Sequence, residues 1–218
     1  MLAGTGAVGA LAAYALVRYP GVLRDPAAPA YLVLLCGTFV LYMGLAGWQI
    51  RRPRAGVAFG AFVGLLAGAA WSVEIWAGGP AMLDDRVEGI VGGTFALIAV
   101  VLSVAAGVLV GIRERNPRAA TRAGLFAGLA SGIVVFCFAI VITVTNVGVL
   151  STRADYLRQF ASGHSHAPDI PTFLVGDILA AGIAHLLINL ALGLVGGGVG
   201  ALTARARAGQ PDAGPASN

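Results

Sequence analysis

The sequence predicts an all-α polytopic membrane protein: a bundle of about six transmembrane helices that pack through glycine. Of its 218 residues, 58% are hydrophobic and 11% are charged, whereas an average soluble domain has about 25% charged residues. The apolar residues gather into six segments, and all but the first reach the roughly 20 residues that cross a bilayer. Small residues recur every three or four positions within several segments, which places them on one face of a helix.

The predicted helices are numbered one to six along the chain and comprise residues 2–17, 31–50, 55–76, 89–112, 123–150 and 172–204. Together they form a single transmembrane domain over residues 1–207, followed by a disordered tail over residues 208–218 that has little apolar content to bury.

The first segment contains Ala13-Tyr14-Ala15, which resembles a signal-peptide cleavage site. No positive charge precedes its apolar run, so we favour a retained helix over a cleaved signal.

The arginines predict the orientation of the bundle in the membrane. Nine of them follow segments two, four and six: Arg51, Arg52, Arg54, Arg113, Arg115, Arg118, Arg122, Arg205 and Arg207. The opposite loops hold five arginines mixed with aspartate and glutamate. Because short cytoplasmic loops carry an excess of basic residues, the sequence predicts a plasma (inner) membrane protein with both termini in the cytoplasm.

Glycines that share one face of a helix predict where the helices touch. They are Gly56, Gly60, Gly64 and Gly68 in segment three, Gly124, Gly128 and Gly132 in segment five, and Gly182, Gly193, Gly196 and Gly200 in segment six. A glycine face lets two helix backbones approach closely, and packing contacts drive association where lipid removes the hydrophobic term. Segments three, five and six are therefore expected to pack tightly.

The loop between segments five and six is long enough to hold a short helix. Thr152 and Asp155 have the spacing of a capping box. Tyr156 and Phe160 lie on one face of the helix that would follow, together with smaller apolar residues. This pattern predicts an amphipathic helix on the outer membrane surface.

Three polar residues of segment six form the main candidate site. Asp177, His185 and Asn189 are expected to lie on or near its glycine face, and polar side chains at such depth are functional candidates by default. The favoured interpretation is structural, with His185 and Asn189 hydrogen-bonded to neighbouring helices. Proton relay through His185 is the alternative, since an unperturbed histidine titrates near pH 6.5.

A second polar group is expected near the outer boundary. Glu74 lies between Trp71 and Trp76, and tryptophan favours the headgroup region. Asn146 closes segment five at the same predicted depth. The sequence therefore predicts a small vestibule formed by Asp177, Asn146 and Glu74.

Histidines in the long loop are weak metal candidates. His164 and His166, with Asp169 close by, offer imidazole and carboxylate ligands that suit zinc or copper. A polar loop without metal is the favoured interpretation. The two cysteines, Cys36 and Cys137, lie inside apolar segments and behave there as small apolar residues.

Nucleotide-binding, protease, esterase and haem-attachment motifs are absent from the sequence. We therefore predict no cofactor. We also predict no nucleic-acid partner, because the arginines are spread over several short loops.

The favoured function is a non-enzymatic structural or accessory subunit in the lipid bilayer, acting through helix contacts in a homo-oligomer or with another membrane protein. A transporter or channel for a solute, ion or proton is the first alternative, with a face of Asp177, His185 and Asn189. A metal-binding protein or enzyme using His164, His166 and His185 is the second.

Overall fold

The computed structural model describes residues 1–50, 56–163 and 166–208, and helices dominate all three stretches. In chain order they are α1 (Leu2–Arg18), a 3₁₀ turn (Pro20–Arg24), α2 (Ala28–Ile50), α3 (Val57–Ala77), α4 (Asp85–Glu114), α5 (Pro117–Leu150), α6 (Ala154–Ala161) and α7 (Ile170–Ala208). The described residues contain no strand. The predicted all-α helix bundle is confirmed.

Five helices of the described chain are long and apolar enough to cross a membrane: α2, α3, α4, α5 and α7. The first predicted segment forms α1, an apolar helix of 17 residues that is shorter than the others. The chain is therefore a multi-pass membrane protein with five membrane-length helices and one shorter apolar helix. The tail after residue 208 and the predicted start of segment three at Ala55 lie outside the described residues.

Polar caps extend two helices beyond their apolar segments. The carboxylate of Asp84 accepts hydrogen bonds at 3.1 and 3.2 Å from two amide groups in the first turn of α4. Asn116 caps α5 in the same way at 3.0 and 3.3 Å, with Pro117 at the first helical position. Such caps satisfy amides that have no partner within the helix, so α4 and α5 begin several residues before their predicted starts.

Helix α5 is the centre of the bundle. In the most apolar 18-residue stretch of α5, 72% of the residues are buried, whereas the corresponding share is 39% or less in the other membrane-length helices. Helix α3 runs parallel to it, with Gly60 beside Ala123 and Gly64 beside Ala127. Helix α7 runs antiparallel to it. Helix α4 contacts α3, α5 and α7, so these four helices form the core.

The bundle has two distinct ends. One carries the turn between α4 and α5 and the last turn of α7, with Arg113, Arg118 and Arg205, and is here named the arginine-rich end. The other carries α6 and is named the α6 end. Because α3 and α5 run toward the α6 end, α4 and α7 run away from it.

Helices α1 and α2 flank the core on the side of α5 and α7. Gly4 of α1 lies beside Ile133, midway along α5, and α1 runs from there to the α6 end. Helix α2 is anchored by Tyr42, whose buried hydroxyl donates a hydrogen bond of 2.7 Å to the carbonyl of Leu186. This bond joins α2 to α7 across Gly132 of α5.

All eleven glycines singled out by their spacing lie in tight surroundings. At each of these positions an added Cβ would come within 3.0 Å of an atom from another element. At Gly60, Gly64, Gly124, Gly128, Gly193 and Gly200 the nearest atom is a backbone carbonyl oxygen of the facing helix. Gly56 also has a φ of +86° at the start of α3, a conformation that suits glycine.

Two glycines of α4 complete these contacts without having been predicted. Gly107 faces Gly196, and Gly111 faces Gly200, so the backbones of α4 and α7 touch along this stretch. Segment four lacks a four-glycine ladder, and its two tight glycines are embedded among larger residues. The pairing therefore depends on the facing helix and cannot be recognised from segment four alone.

Helix α6 forms where the loop pattern predicted a helix, but the predicted capping box is wrong. Arg153 occupies the N-cap position without a side-chain capping bond. The hydroxyl of Thr152 donates instead to the carbonyl of Val149 at 2.7 Å. Phe160 packs against Phe173 of α7, with ring centroids 5.9 Å apart, so part of the apolar face of α6 meets α7.

Candidate functional site

An open pocket of about 690 Å³ lies at the α6 end. It is bounded by the end of α3, the start of α4 and the start of α6. Its charged lining residues are Glu74, Asp85, Glu88, Arg153, Asp155 and Arg158. Four carboxylates and two guanidinium groups make the lining acidic.

Arg153 organises one wall of this pocket. Its guanidinium donates two hydrogen bonds of 3.0 Å to Asp155, one of 3.3 Å to Glu88 and one of 2.9 Å to the carbonyl of Gly79. The hydrogen bonds from Arg153 lower the pKa of Asp155, and the same bonds raise the pKa of Arg153. Arg153 thus connects α6 to the start of α4 and to the turn after α3.

Glu74 lies at the inner side of the pocket, one turn beyond Trp71 on α3. It is half-buried, and the methylene groups of its side chain are near Gly92 of α4. Trp71, three residues earlier on α3, contacts the ring of His185 on α7. The acidic lining of the pocket therefore begins about one turn from the contact between α3 and α7.

His185 is half-buried and meets α3 through an aromatic contact. Its ring and that of Trp71 are 5.2 Å apart at an interplanar angle of 84°, an edge-on arrangement. Its Nδ1 lies 2.9 Å from the carbonyl oxygen of Ala181. A carbonyl can only accept a hydrogen bond, so Nδ1 carries the proton in this contact and Nε2 is the basic nitrogen of the neutral ring.

Asn189 is fully enclosed one turn further into the bundle. Its side-chain oxygen accepts a hydrogen bond of 2.7 Å from the hydroxyl of Ser131, which is also fully buried. Its side-chain nitrogen donates to the carbonyl of His185 at 2.9 Å. The amide thus links α7 to α5 beside Gly128, whose absent side chain leaves room for the α7 backbone.

The structure separates Asp177 from the other two members of the predicted face. Asp177 is exposed and lines a second pocket of about 350 Å³, together with Asp25 and Tyr31. His185 points toward α3, and Asn189 points toward α5. The three side chains therefore occupy three different surroundings on α7.

The predicted vestibule of Asp177, Asn146 and Glu74 does not form, because the lining of the pocket at Asp177 includes neither Asn146 nor Glu74, and Glu74 lines the other pocket. The side chain of Asn146 donates to the carbonyl of Ile142 at 2.8 Å. Its own φ of −113° and ψ of 15° interrupt the helical geometry of α5. Asn146 therefore bends the last turns of α5.

The metal candidates fall partly outside the described residues, since His164 is not among them. Asp169 accepts a hydrogen bond of 2.8 Å from the amide of Thr172 and so caps α7. Within the described ranges, no three side chains of histidine, cysteine, aspartate or glutamate are placed to hold a metal ion together. His166 therefore belongs to no such group there.

Sequence reasoning missed several residues that shape the site. Trp71 was interpreted as a headgroup anchor, yet its buried indole nitrogen lacks a hydrogen-bond partner in the described part of the chain, as does the buried hydroxyl of Ser103. Ser131 stands among the glycines of α5, and a hydroxyl on a packing face is a signal that could have identified it as a partner of Asn189. Arg153 offered no comparable signal, because two of its three partners, Gly79 and Glu88, are distant in the sequence.

Comparisons with known proteins add no further constraint. The chain matches no protein-family model, no curated protein and no solved structure at a significant level of similarity.

Proposed function

We propose that this multi-pass membrane protein is a non-enzymatic structural or accessory subunit that acts through its helix contacts. The observation that carries the proposal is the direct contact between helix backbones in the half of the core nearest the arginine-rich end. Gly107 and Gly111 of α4 meet Gly196 and Gly200 of α7 there. Backbones in contact leave no space between α4 and α7 for a solute.

Helices α5 and α7 are also in direct backbone contact in this half of the core, which is here called the closed half. Gly124 faces Gly193, and an added Cβ on either residue would collide with the carbonyl oxygen of the other. Helix α3 closes on α5 in the same manner at Gly60 and Gly64. Close packing of this kind is how membrane helices associate without a hydrophobic driving force, and it favours a rigid subunit.

The buried polar groups beside these contacts also have a structural role. The side chain of Asn189 accepts a hydrogen bond from the hydroxyl of Ser131 and donates one to the carbonyl of His185. Hydrogen bonds between membrane helices contribute about 0.6 kcal/mol on average. This network therefore stabilises the alignment of α5 and α7 modestly, and the amide of Asn189 has its oxygen and nitrogen occupied.

A transporter or channel is the second candidate, because Glu74 lines an open pocket and the neighbouring Trp71 on α3 contacts His185 of α7. A solute entering there would reach the closed half of the core and could pass only if α4, α5 and α7 separated. Alternating access in transporters uses rocking of helix groups of this kind. The two candidates therefore differ in whether the closed half ever admits water.

The proposal includes an orientation. We place the arginine-rich end in the cytoplasm and the α6 end outside, following the excess of arginine in the loops. Helix α7 ends at the arginine-rich end with Arg205 and Arg207. Helix α1 has the direction that a cytoplasmic amino terminus requires, since it runs from the middle of the bundle to the α6 end.

Single cysteines test both the closure and the orientation. In a protein with Cys36→Ala and Cys137→Ala, we expect Ser103→Cys to resist a membrane-impermeant thiol reagent in intact and in permeabilised cells, because Ser103 is fully buried. Arg86→Cys should react in intact cells, and Arg118→Cys only after permeabilisation, since both residues are exposed at opposite ends of the core. Labelling is measured by the mass shift of the purified protein.

Two results would contradict these expectations. Reaction of Ser103→Cys in the folded protein would show that water enters the closed half, and would favour the transporter. Reaction of Arg118→Cys in intact cells would reverse the orientation. Denaturation in detergent before labelling serves as the control, since Ser103→Cys must then react fully.

A further inference from the structure

We propose that two neighbouring pockets at the α6 end together bind the headgroup of a zwitterionic phospholipid. One, the Arg18 pocket, has a volume of about 410 Å³ and is lined by Arg18 and Arg24. The other, the Asp177 pocket, is the cavity of about 350 Å³ lined by Asp25 and Asp177. The first holds the phosphate and the second holds the ammonium group. This site goes beyond the structural role proposed above, which uses none of these side chains.

The two pockets share a wall. Gly21 of the 3₁₀ turn and Thr172 of α7 line both of them. An added Cβ on Gly21 would lie 2.9 Å from the side chains of Pro168 and Thr172, so the turn packs directly against the start of α7. Arg24 and Asp25 are consecutive residues, and their Cα atoms are therefore about 3.8 Å apart. Residues of opposite charge thus line adjoining pockets, as a headgroup with adjoining phosphate and ammonium groups requires.

The Arg18 pocket suits a phosphate group, which arginine binds through paired N–H donors. Neither guanidinium that lines it pairs with a carboxylate in the described part of the chain. The guanidinium of Arg18 lies 5.5 Å from the ring centroid of Tyr19. Among the described residues that line this pocket, the acidic one is Asp169, which accepts the amide hydrogen of Thr172 at 2.8 Å. The two arginines therefore leave the pocket with an excess of positive charge.

The Asp177 pocket suits an ammonium group. Asp25 precedes α2 and Asp177 lies about two turns into α7, and none of the described residues that line this pocket is basic. One oxygen of Asp25 accepts a hydrogen bond of 2.8 Å from the amide of Ala27, which orients the carboxylate. Tyr31 and Phe173 add aromatic rings to the lining, and the faces of such rings attract cations. The pocket therefore offers two carboxylates and aromatic surface to a cation.

The Asp177 pocket lies at the depth of lipid headgroups. Asp177 and Arg205 are 28 residues apart on α7, which is about 42 Å at the helical rise of 1.5 Å per residue. A bilayer with its headgroup regions is about 40–45 Å thick. Because Arg205 lies at the arginine-rich end, Asp177 lies in the opposite headgroup region. Tyrosine is enriched at this level, and Tyr19 and Tyr31 each line one of the pockets.

Apolar surface beside the arginines favours a membrane lipid over a soluble phosphate ester that carries an ammonium group. Val17, which precedes Arg18, is 81% exposed, and Leu23, which precedes Arg24, is 47% exposed. Exposed apolar surface of this kind marks contact with the membrane. A lipid whose phosphate enters the Arg18 pocket has this surface beside its acyl chains, and a soluble headgroup makes no use of it.

Lipid binding by the purified protein in detergent tests the site, with bound lipid counted by native mass spectrometry. The probes are phosphatidylethanolamine and phosphatidylglycerol with identical acyl chains, since only the first carries an ammonium group. We expect phosphatidylethanolamine to bind about tenfold more tightly, because one hydrogen bond to a charged group contributes about that factor. Asp177→Asn should bring the ratio of the two affinities close to one. Arg18→Gln combined with Arg24→Gln should weaken both lipids about tenfold, because both carry a phosphate.

Arg86→Gln and Asp85→Asn are the matched controls, because they remove charges of α4 at the same end but outside both pockets. Neither should change the affinities or their ratio. Asp25→Asn repeats the test of the carboxylates should Asp177→Asn fail to fold, since asparagine can still accept the amide hydrogen of Ala27.

Several results would overturn the site. Equal affinities for the two lipids in the unaltered protein, or an unchanged ratio in the aspartate variants, would remove the ammonium subsite. Full binding by the double arginine variant, or an equal loss in Arg86→Gln, would remove the phosphate subsite. Soluble glycerophosphoethanolamine that binds as tightly as the lipid would show that the ligand is a free solute.

Discussion

Alanine at Gly200 is expected to destabilise the protein by about 3 kcal/mol, the upper end of the usual cost of overpacking. An added Cβ at this position would collide with the carbonyl group of Gly107 on α4. Backbone atoms cannot change rotamer as a side chain can, so α4 and α7 must move apart. The measurement is the melting temperature of the purified protein in detergent, together with the yield of folded protein.

Gly198 provides the matched control on the same helix. It has no neighbouring atom within 4 Å of an added Cβ, so alanine there meets open space. Alanine also favours a helix by up to about 1 kcal/mol relative to glycine, and Gly198→Ala should be neutral or slightly stabilising. Equal melting temperatures for the two variants would contradict the proposed role of glycine in joining α4 and α7.

The second large effect is expected at Arg153. The variant Arg153→Gln removes the charge that pairs with Asp155 and Glu88 and the donor to the carbonyl of Gly79. Removing one partner of a fully buried ion pair costs about 3–5 kcal/mol. The two carboxylates are 38% and 29% exposed, so water compensates in part and we expect about 2 kcal/mol. Hydrogen exchange of residues 151–163 should increase, because α6 loses its connection to α4.

Arg158→Gln is the control for this loss. Arg158 lines the same pocket and is exposed, and substitutions at such surface sites usually change stability by less than about 0.5 kcal/mol. If both arginine variants protect residues 151–163 equally well, the connection through Arg153 does not hold α6 in place.

The same contact makes the attachment of α6 sensitive to acid. The hydrogen bonds from Arg153 lower the pKa of Asp155 in the folded protein. A lowered pKa stabilises the folded state above the pKa of an unfolded aspartate, near 3.9, and this stabilisation is lost as the pH falls through the folded pKa. Protection of α6 should therefore decrease below about pH 4, and Arg153→Gln should abolish this dependence.

Local pattern predicted the parts of the fold that depend on local chemistry. Apolar runs identified five membrane-length helices, and the spacing of Gly60, Gly64 and Gly124 identified positions with tight surroundings. Counting apolar residues placed the starts of α4 and α5 too late, because a polar first turn held by Asp84 or Asn116 carries no hydropathy signal.

The candidate site was less predictable, because its partners are distant in the sequence. Glu74 was expected near the headgroups between two tryptophans, yet it lines a pocket with Arg153, 79 residues later in the chain. Similarly, Asp177 and His185 share a helix but not a pocket, since different helices cover each side of α7. Periodicity assigns a residue to a face and leaves open which neighbour meets that face.

The central position of α5 has a consequence for biogenesis. Domains are synthesised from the amino terminus, so α3 and α4 enter the membrane before either α5 or α7 exists. During that interval, Gly60 and Gly64 have no α5 to pack against, and Gly107 and Gly111 have no α7, which follows α5 and α6 in the chain. The nascent chain therefore exposes glycine faces to lipid or to the insertion machinery until α7 has been made. Truncation before residue 170 would leave α4 and α5 permanently without their partner.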